Sequence, residues 1–105
     1  MVRMAEITEL AQKIAGEFRP ERVILFGSHA TGRARAGSDV DLLVIMRFRG
    51  SALRKAAEIL DRIAPRMALD LLVSTPREFR QRLAWNDFFV REIAENGKVL
   101  YEAHR

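Results

Sequence analysis

Two of the three apolar runs in this sequence carry an aspartate between aliphatic neighbours. Asp41 interrupts residues 40–46 (VDLLVIM), and Asp70 interrupts residues 67–74 (MALDLLVS). Apolar runs of this length, bounded by polar segments, are typical of buried strands. An ionised carboxylate inside such a strand costs several kcal/mol unless a cation, hydrogen bonds or an opening to solvent compensates it. We therefore expect a fold that brings these carboxylates to one shared site.

The first part of the chain predicts a helix, a strand and a loop. Apolar residues at helical spacing form one stripe on a polar segment: Ile7, Leu10, Ala11, Ile14 and Phe18. Residues 22–26 (RVILF) lie between Pro20 and Gly27 and predict a buried strand. Residues 27–38 contain three glycines, two serines and a threonine, which predicts a loop with little regular structure.

The rest of the chain predicts three more helices and a last strand. Ser51 is placed to cap a helix that runs to about residue 64, with this inward face: Leu53, Ala56, Ala57, Leu60 and Ile63. Residues 75–78 (TPRE) have the pattern of a capping box with proline at the first helical position, so a helix starts there. A last helix is predicted over residues 87–95 and an edge strand over residues 98–101.

This order of elements predicts one α/β (α+β) domain over residues 1–105, with a mixed β-sheet of three to four strands packed with helices. No apolar run approaches the ~20 residues of a membrane span, so we expect a cytoplasmic protein with no membrane contact. The sequence has no cysteine and two histidines, which excludes thiolate zinc sites and histidine-rich metal sites. Any metal would need oxygen ligands.

Three aspartates are candidates for such a metal site. Asp39 and Asp41 are two residues apart, so in one strand they would project from the same face about 7 Å apart at the backbone. If the strand that holds Asp70 joins the same sheet, the three carboxylates form an all-oxygen site suited to Mg²⁺ or Mn²⁺. The alternative, strongest for Asp39, is that each aspartate caps a turn or pairs with an arginine.

The dipeptide Gly27–Ser28 directly follows the first predicted strand. A glycine there lets the backbone approach a ligand, and backbone N–H groups at the turn can bind an anion, with the Ser28 hydroxyl as a further donor. Alone, such a dipeptide indicates only a turn. Followed by aspartates 11 and 13 residues after Ser28, it predicts a phosphate cradle beside the metal site.

Other candidates have simpler interpretations. Thr31, Arg33 and Arg35 could reach a phosphate but fit an exposed loop better, and His29 fits a turn. Aromatic residues near the last helix could stack on a base, but their spacing favours packing in the core or against a partner: Trp85, Phe88 and Phe89.

The segment 27-GSHATGRARAGSDVDL-42 resembles the DNA-polymerase-β-like nucleotidyltransferase superfamily, and specifically its minimal nucleotidyltransferase (MNT) family. The flanking strands VILFG, DLLVI and LDLLV and the ending FFVREIAENGKVLYE extend the resemblance over nearly the whole chain. It implies a transferase that moves a nucleoside monophosphate from an NTP to a hydroxyl, using two Mg²⁺ ions or Mn²⁺.

The resemblance also implies roles for individual residues. Asp39 and Asp41 would hold both ions. Asp70 would hold the ion at the attacking hydroxyl and help to deprotonate that hydroxyl. Gly27 and Ser28 would bind the β and γ phosphates.

The resemblance further implies that the chain is the antitoxin of a toxin–antitoxin pair. The partner would be a HEPN-type helical protein, with AMP from ATP transferred to a tyrosine of that partner, in a homo- or hetero-oligomer. Two alternatives stay open: a non-catalytic binding subunit that neutralises its partner by contact, and a basic nucleic-acid-binding module. The net charge of +4 suits the second alternative, but that module leaves the aspartates in the strands unexplained.

Overall fold

Nine helices and strands follow one another along residues 1–104, which are the residues that the computed structural model describes. In chain order they are α1 Met4–Phe18, β1 Arg22–Phe26, α2 Ser28–Thr31, β2 Val40–Ile45, α3 Ala52–Ile63, β3 Leu69–Ser74, α4 Pro76–Ala84, α5 Phe88–Asn96 and β4 Lys98–Glu102. None of the helices in this part of the chain has both the length and the apolar character that a membrane span requires.

The four strands form one mixed sheet in the order β3-β2-β1-β4. Strand β1 runs antiparallel to both of its neighbours, β2 and β4, whereas β2 and β3 are parallel. The parallel pair is connected through α3, as a parallel connection requires a crossover of about a dozen residues or more. The predicted α+β fold with a mixed sheet of three to four strands is confirmed.

Helices cover both faces of the sheet because β1 and β2 bury apolar side chains on each side. One cluster joins α1 and α3 to the first face, and its members include Ile14, Val23, Leu42, Ile59 and Val73. A smaller cluster joins α4 and α5 to the second face: Ile24, Leu43, Ile45, Phe79, Val90 and Ile93. Alternate residues of a strand therefore serve different cores, as the twofold period of a strand dictates.

The starts of α3, α4 and α5 are fixed by the side chains that the sequence places before them. The Ser51 hydroxyl accepts the N–H groups of Leu53 and Arg54, and the Thr75 hydroxyl accepts that of Glu78. Asp87 caps α5 through the N–H of Val90. Each cap satisfies backbone donors that a helix start leaves unpaired.

The predicted inward face of α3 is partly wrong. Leu53 is 83% exposed, whereas Ile59 is fully buried with Ala56 and Ile63. Ala57 is also exposed. Leu53 lies in the first turn of α3, and its position in the periodic pattern did not reveal that this turn is largely exposed.

Gly97 joins the end of α5 to β4 at a point of very close packing. A Cβ at this position would overlap the backbone oxygen of Ile93 and lie 2.8 Å from the Cγ2 of Ile24 and 3.1 Å from the backbone oxygen of Leu25. Its φ of −74° is one that any residue adopts. The glycine is therefore required by space and not by backbone conformation.

Candidate active site

Strands β2 and β3 place two of the predicted carboxylates side by side. In the parallel register, Asp41 is the direct partner of Asp70. The neighbours of Asp41, Val40 and Leu42, are buried on the α1–α3 face, so Asp41 projects from the opposite face. Asp70 does the same, because Leu71 points into the α1–α3 core. The expectation that the two strands share a sheet is confirmed.

Asp39 lies just before β2 and not within it, so the strand-face argument does not apply to it as predicted. Its side chain is exposed, as is that of Asp70, whereas Asp41 is half-buried. Asp39 is nevertheless close enough for its charge to act on Asp41. The three carboxylates therefore share one electrostatic neighbourhood at the start of the parallel strands.

The pKa of Asp41 is raised above its ordinary value. Burial is the largest cause, followed by the negative charges of Asp70 and Asp39, while His29 acts in the opposite direction. Within residues 1–104 none of the three carboxylates forms an ion pair. In this part of the chain none of the three aspartates therefore pairs with an arginine. No positively charged side chain neutralises the three carboxylates when they are ionised.

Gly27 is in contact with the Asp41 carboxylate. Its φ of 72° and ψ of −156° lie in a region that is essentially reserved for glycine. A Cβ at Gly27 would overlap Asp41 Oδ2 and lie 3.1 Å from Asp41 Cγ. Both the backbone conformation and the available space therefore require glycine here.

The segment predicted as an irregular loop begins with a short helix. Ser28 starts α2, and the N–H groups of Ala30 and Thr31 bond to the Gly27 carbonyl. The N–H groups of Ser28 and His29 stand at the start of this turn, next to the Gly27 backbone that contacts Asp41. The predicted phosphate cradle and the carboxylates are thus brought together across β1 and β2.

His29 has a structural role that the sequence did not reveal. It is 9% exposed, and its Nε2–H donates to the Ser38 carbonyl at 3.2 Å. Ser38 is also bonded through its backbone and hydroxyl to Arg35, at 2.9 Å in both cases. These bonds tie the residue before Asp39 to α2, on the far side of the loop. A lone histidine carries no sequence signal for such a contact.

The remaining loop residues agree with their simpler interpretation: Thr31, Arg33 and Arg35 are exposed. Of the two predicted alternatives, packing in the core is excluded for Trp85, which is 70% exposed, and for Phe88, which is 86% exposed, while packing against a partner stays a prediction. Phe89, at 46% exposed, packs edge-on against Phe26 with ring centroids 5.7 Å apart. Phe26 is the β1 partner of Asp41, so Phe89 borders the carboxylate site.

The sequence profile of the nucleotidyltransferase domain family matches residues 7–101, which include every candidate site residue. The chain belongs to this family. No curated protein sequence matches this nucleotidyltransferase significantly.

Solved structures show the same fold at low sequence identity. A candidate nucleotidyltransferase from Sulfolobus solfataricus is 19% identical, with a TM-score of 0.66 over 94% of this chain and 79% of the other. A toxin–antitoxin complex with AMP-PNP is 17% identical, with a TM-score of 0.59 over 98% of this chain and 76% of the other. An MntA–HpeT toxin–antitoxin mutant is 15% identical, with a TM-score of 0.56 over 98% and 75% of the two chains.

These comparisons confirm the family that the sequence motif indicates. At such identities the likeness to the solved structures establishes the fold and nothing finer. Toxin–antitoxin complexes are nevertheless among the structures that share this nucleotidyltransferase's fold.

Proposed function

We propose that this nucleotidyltransferase is a metal-dependent enzyme that transfers AMP from ATP to a hydroxyl group of a protein partner. The observation that carries the proposal is the row formed by Gly27 at the end of β1, Asp41 on β2 and Asp70 on β3. It places a backbone that a phosphate can approach beside carboxylates that can hold a cation.

The donor set fits a hard divalent cation, either two Mg²⁺ ions or Mn²⁺. All three candidate ligands offer oxygen, and the pKa of Asp41 is raised first by its burial and then by the negative charges of Asp70 and Asp39. As they stand, no three acidic or histidine side chains within residues 1–104 converge closely enough to hold an ion. Asp39 and Asp70 are exposed, so their side chains are free to turn toward Asp41.

The remaining chemistry falls to the chain's own residues. Bound metal would neutralise the charge that develops on the transferred phosphate. Gly27 and Ser28 would bind the β and γ phosphates through backbone N–H groups and the Ser28 hydroxyl. Asp70 would accept the proton of the attacking hydroxyl. Catalysis would then come mainly from positioning and charge stabilisation.

For the biological partner we propose a HEPN-type helical protein, with this chain as the cytoplasmic antitoxin of the pair. The toxin–antitoxin complexes that share the fold support a toxin as the partner, and the complex that contains AMP-PNP supports an adenine nucleotide.

The test is label transfer from α-labelled ATP with Mg²⁺ to the product of the neighbouring gene. Wild-type protein should label that product, and Asp41→Asn should lose the activity by a factor of about 10² or more, as expected when a metal-binding charge is removed. Asp61→Asn is the matched control, because Asp61 is an exposed aspartate on α3, away from the site. It should label the product at the wild-type rate.

Two results would refute the proposed enzymatic activity. Equal labelling by wild type and Asp41→Asn would mean that the carboxylates do not catalyse. If wild type labels nothing with any of the four NTPs but forms a complex that inactivates the partner, the chain is a binding subunit.

A further inference from the structure

A pocket rich in arginine lies at the end of the sheet opposite the carboxylates, where β2 and β3 end and α4 begins. Its volume is about 280 Å³. The residues that line it are Arg47, Phe48, Thr75, Pro76, Arg77 and Arg80. Asp41 precedes Arg47 by six residues of nearly extended chain, so roughly 20 Å along β2 separates this arginine pocket from the carboxylates.

The parallel pairing of β2 with β3 brings the arginines together. The Met46 N–H donates to the Ser74 carbonyl at 3.0 Å, one residue past the end of β2, so Arg47 is placed beside the start of α4. Arg77 and Arg80 are three residues apart on α4 and share one face of this helix. Ligands of open α/β sheets bind outside the carboxyl ends of the strands, and the arginine pocket occupies that place on β2 and β3.

The positive charge of the arginine pocket is not compensated. Arg47, Arg77 and Arg80 are exposed, and none of them belongs to an ion pair within residues 1–104. No carboxylate of the described residues lines the pocket. Three like charges around one pocket repel one another, so an anion that contacts all three relieves the repulsion. Phosphate suits them, because a guanidinium can donate two parallel hydrogen bonds to its oxygens.

Further arginines continue the positive charge outside the pocket. Arg47 also lines a neighbouring hollow with Arg19, to which Glu21 contributes one carboxylate. On the other side, the guanidinium carbon of Arg22 lies 5.2 Å from the centre of the Phe79 ring on α4. A small anion would contact a single pocket, whereas a chain of phosphates can contact this whole series of arginines.

The lining favours recognition of phosphates and not of bases. Phe48 is half-buried against the α1–α3 core, and Phe79 is buried beneath Arg22, so neither offers a free ring on which a base could stack. The volume lies below the range of about 300–1,000 Å³ for drug-sized ligands, which leaves room for a phosphate and its sugar. Contacts to phosphates carry no sequence information, so binding here would not depend on sequence.

We propose that Arg47, Arg77 and Arg80 form a second binding site, which holds the phosphodiester backbone of a single nucleic-acid strand regardless of its sequence. The inference goes beyond the proposed function, because this site needs neither ATP nor a metal. A nucleic-acid strand presents a phosphate at every nucleotide, whereas an acidic protein segment must place its carboxylates to match the arginines. The net charge of +4 favours the approach of such a strand.

Salt-dependent binding of labelled oligouridylate and oligothymidylate, followed by fluorescence anisotropy, tests the site. The logarithm of the binding constant should fall with the logarithm of the salt concentration by about 0.7 for each phosphate that is neutralised on a single strand. Combining Arg47→Gln, Arg77→Gln and Arg80→Gln in one variant should reduce this slope by about 2 and weaken binding at least about tenfold at low salt. Both oligonucleotides should respond alike, since only phosphates are contacted.

The matched control combines Arg3→Gln, Arg66→Gln and Arg91→Gln, which removes the same net charge from exposed positions outside the pocket. It should keep the wild-type salt slope. In the pocket variant, the Kd of AMP-PNP with Mg²⁺ should change by less than about twofold, because charges this far apart are screened from each other.

Four results would overturn the inference. Wild type that shows no salt-dependent binding has no such site. Equal losses of affinity in the pocket and control variants would show that net charge alone attracts the strand. Displacement of oligouridylate by AMP-PNP would place the strand at the carboxylates. Equally tight binding of oligoglutamate of the same charge would assign the pocket to an acidic protein segment. Conversely, wild type that binds oligouridylate through the arginines but transfers no AMP supports this site while the proposed function fails.

Discussion

Asp41 and Asp70 are direct partners across the parallel pairing of β2 with β3, each at the second residue of its strand. Like charges placed opposite each other destabilise a sheet. Here the adjoining strands hold them one strand spacing apart, about 4.8 Å at the backbone. The fold thus maintains an unfavourable charge arrangement, which protonation of a carboxylate or a bound cation would relieve.

Replacing Asp41 with asparagine should stabilise the metal-free protein while removing its activity. The pKa of Asp41 is raised by burial and by the charges of Asp70 and Asp39, so the folded state disfavours its ionised form. For a raised carboxyl pKa, the favourable contribution is present below the unfolded pKa and is lost as pH rises through the folded pKa. Asp41→Asn should therefore have the higher Tm at neutral pH in EDTA.

The same reasoning gives the pH control. The difference in Tm between Asp41→Asn and wild type should shrink as pH falls below the ordinary aspartate pKa of about 3.9. A variant that is less stable than wild type at neutral pH would contradict the assignment of repulsion to this cluster.

Adding Mg²⁺ should reverse the order of stability. An ion that binds only the folded state stabilises it by mass action, so the Tm of wild type should rise with Mg²⁺ concentration and return with EDTA. Asp41→Asn should respond much less, and Asp61→Asn should respond as wild type does. Thermal shift in a magnesium titration provides the measurement, and a wild type that is indifferent to both Mg²⁺ and Mn²⁺ would contradict the metal site.

Gly27→Ala should be more damaging than the same change at Gly32. Both glycines have a positive φ, 72° and 76°, but only Gly27 has a neighbour in the way of a Cβ. We expect about 1–2 kcal/mol of lost stability at Gly32 from backbone strain. At Gly27 we expect a further 1–3 kcal/mol, roughly, from overlap with the Asp41 carboxylate. Urea unfolding of the two variants measures both values.

A double-mutant cycle isolates the contact. In an Asp41→Ala background the carboxylate is absent. There, Gly27→Ala should reduce the free energy of unfolding only by the cost of backbone strain. If the cost of Gly27→Ala is the same in both backgrounds, the proximity of the two residues is not what requires glycine.

Asp87 should make the stability of α5 depend on acid pH. The pKa of Asp87 is lowered, first by the hydrogen bond that the Val90 N–H donates to it and then by the side chain of Arg82. The Arg82 Nη2 atom lies 2.9 Å from Asp87 Oδ2. A lowered carboxyl pKa contributes stability above the unfolded pKa that is lost as pH falls through the folded value. Asp87→Ala should flatten the acid limb of the stability profile, whereas Asp61→Ala should leave it unchanged. Urea titrations across acid pH test this.

Two glycine-to-alanine changes, one within α1 and one just after α5, should act in opposite directions. Gly97→Ala places a Cβ against Ile93 and Ile24 and should cost about 1–3 kcal/mol. Gly16→Ala lies in α1 with no atom within 4 Å of the added carbon and should add about 0.5–1 kcal/mol. Urea unfolding distinguishes the signs, and a neutral Gly97→Ala would contradict the close packing.

The strands were predictable because local signals define them. Residues 22–26 lie between proline and glycine and form β1 with the predicted bounds. The parallel strands β2 and β3 begin or end within two residues of their prediction. Capping side chains gave the starts of α3 and α4 for the same reason.

What the sequence did not reveal depends on contacts between distant segments. The exposure of Leu53 depends on how the first turn of α3 lies against the rest of the fold, which helical periodicity does not encode. The bond from His29 to the Ser38 carbonyl and the contact of Gly27 with Asp41 exist only once β1 and β2 pair and the loop between them closes. The candidate site residues were proposed from their motif, whereas the way they constrain one another required the fold.

The contact between Gly27 and Asp41 has an evolutionary consequence. Asp41 can mutate to a smaller residue without disturbing position 27, but a side chain at 27 must displace the carboxylate and also adopt a conformation that favours glycine. In evolution, the loss of Asp41 should therefore precede the loss of Gly27. Homologous chains that carry a side chain at this position should also lack the aspartate, so replacement of this glycine marks a lineage that has lost the carboxylate.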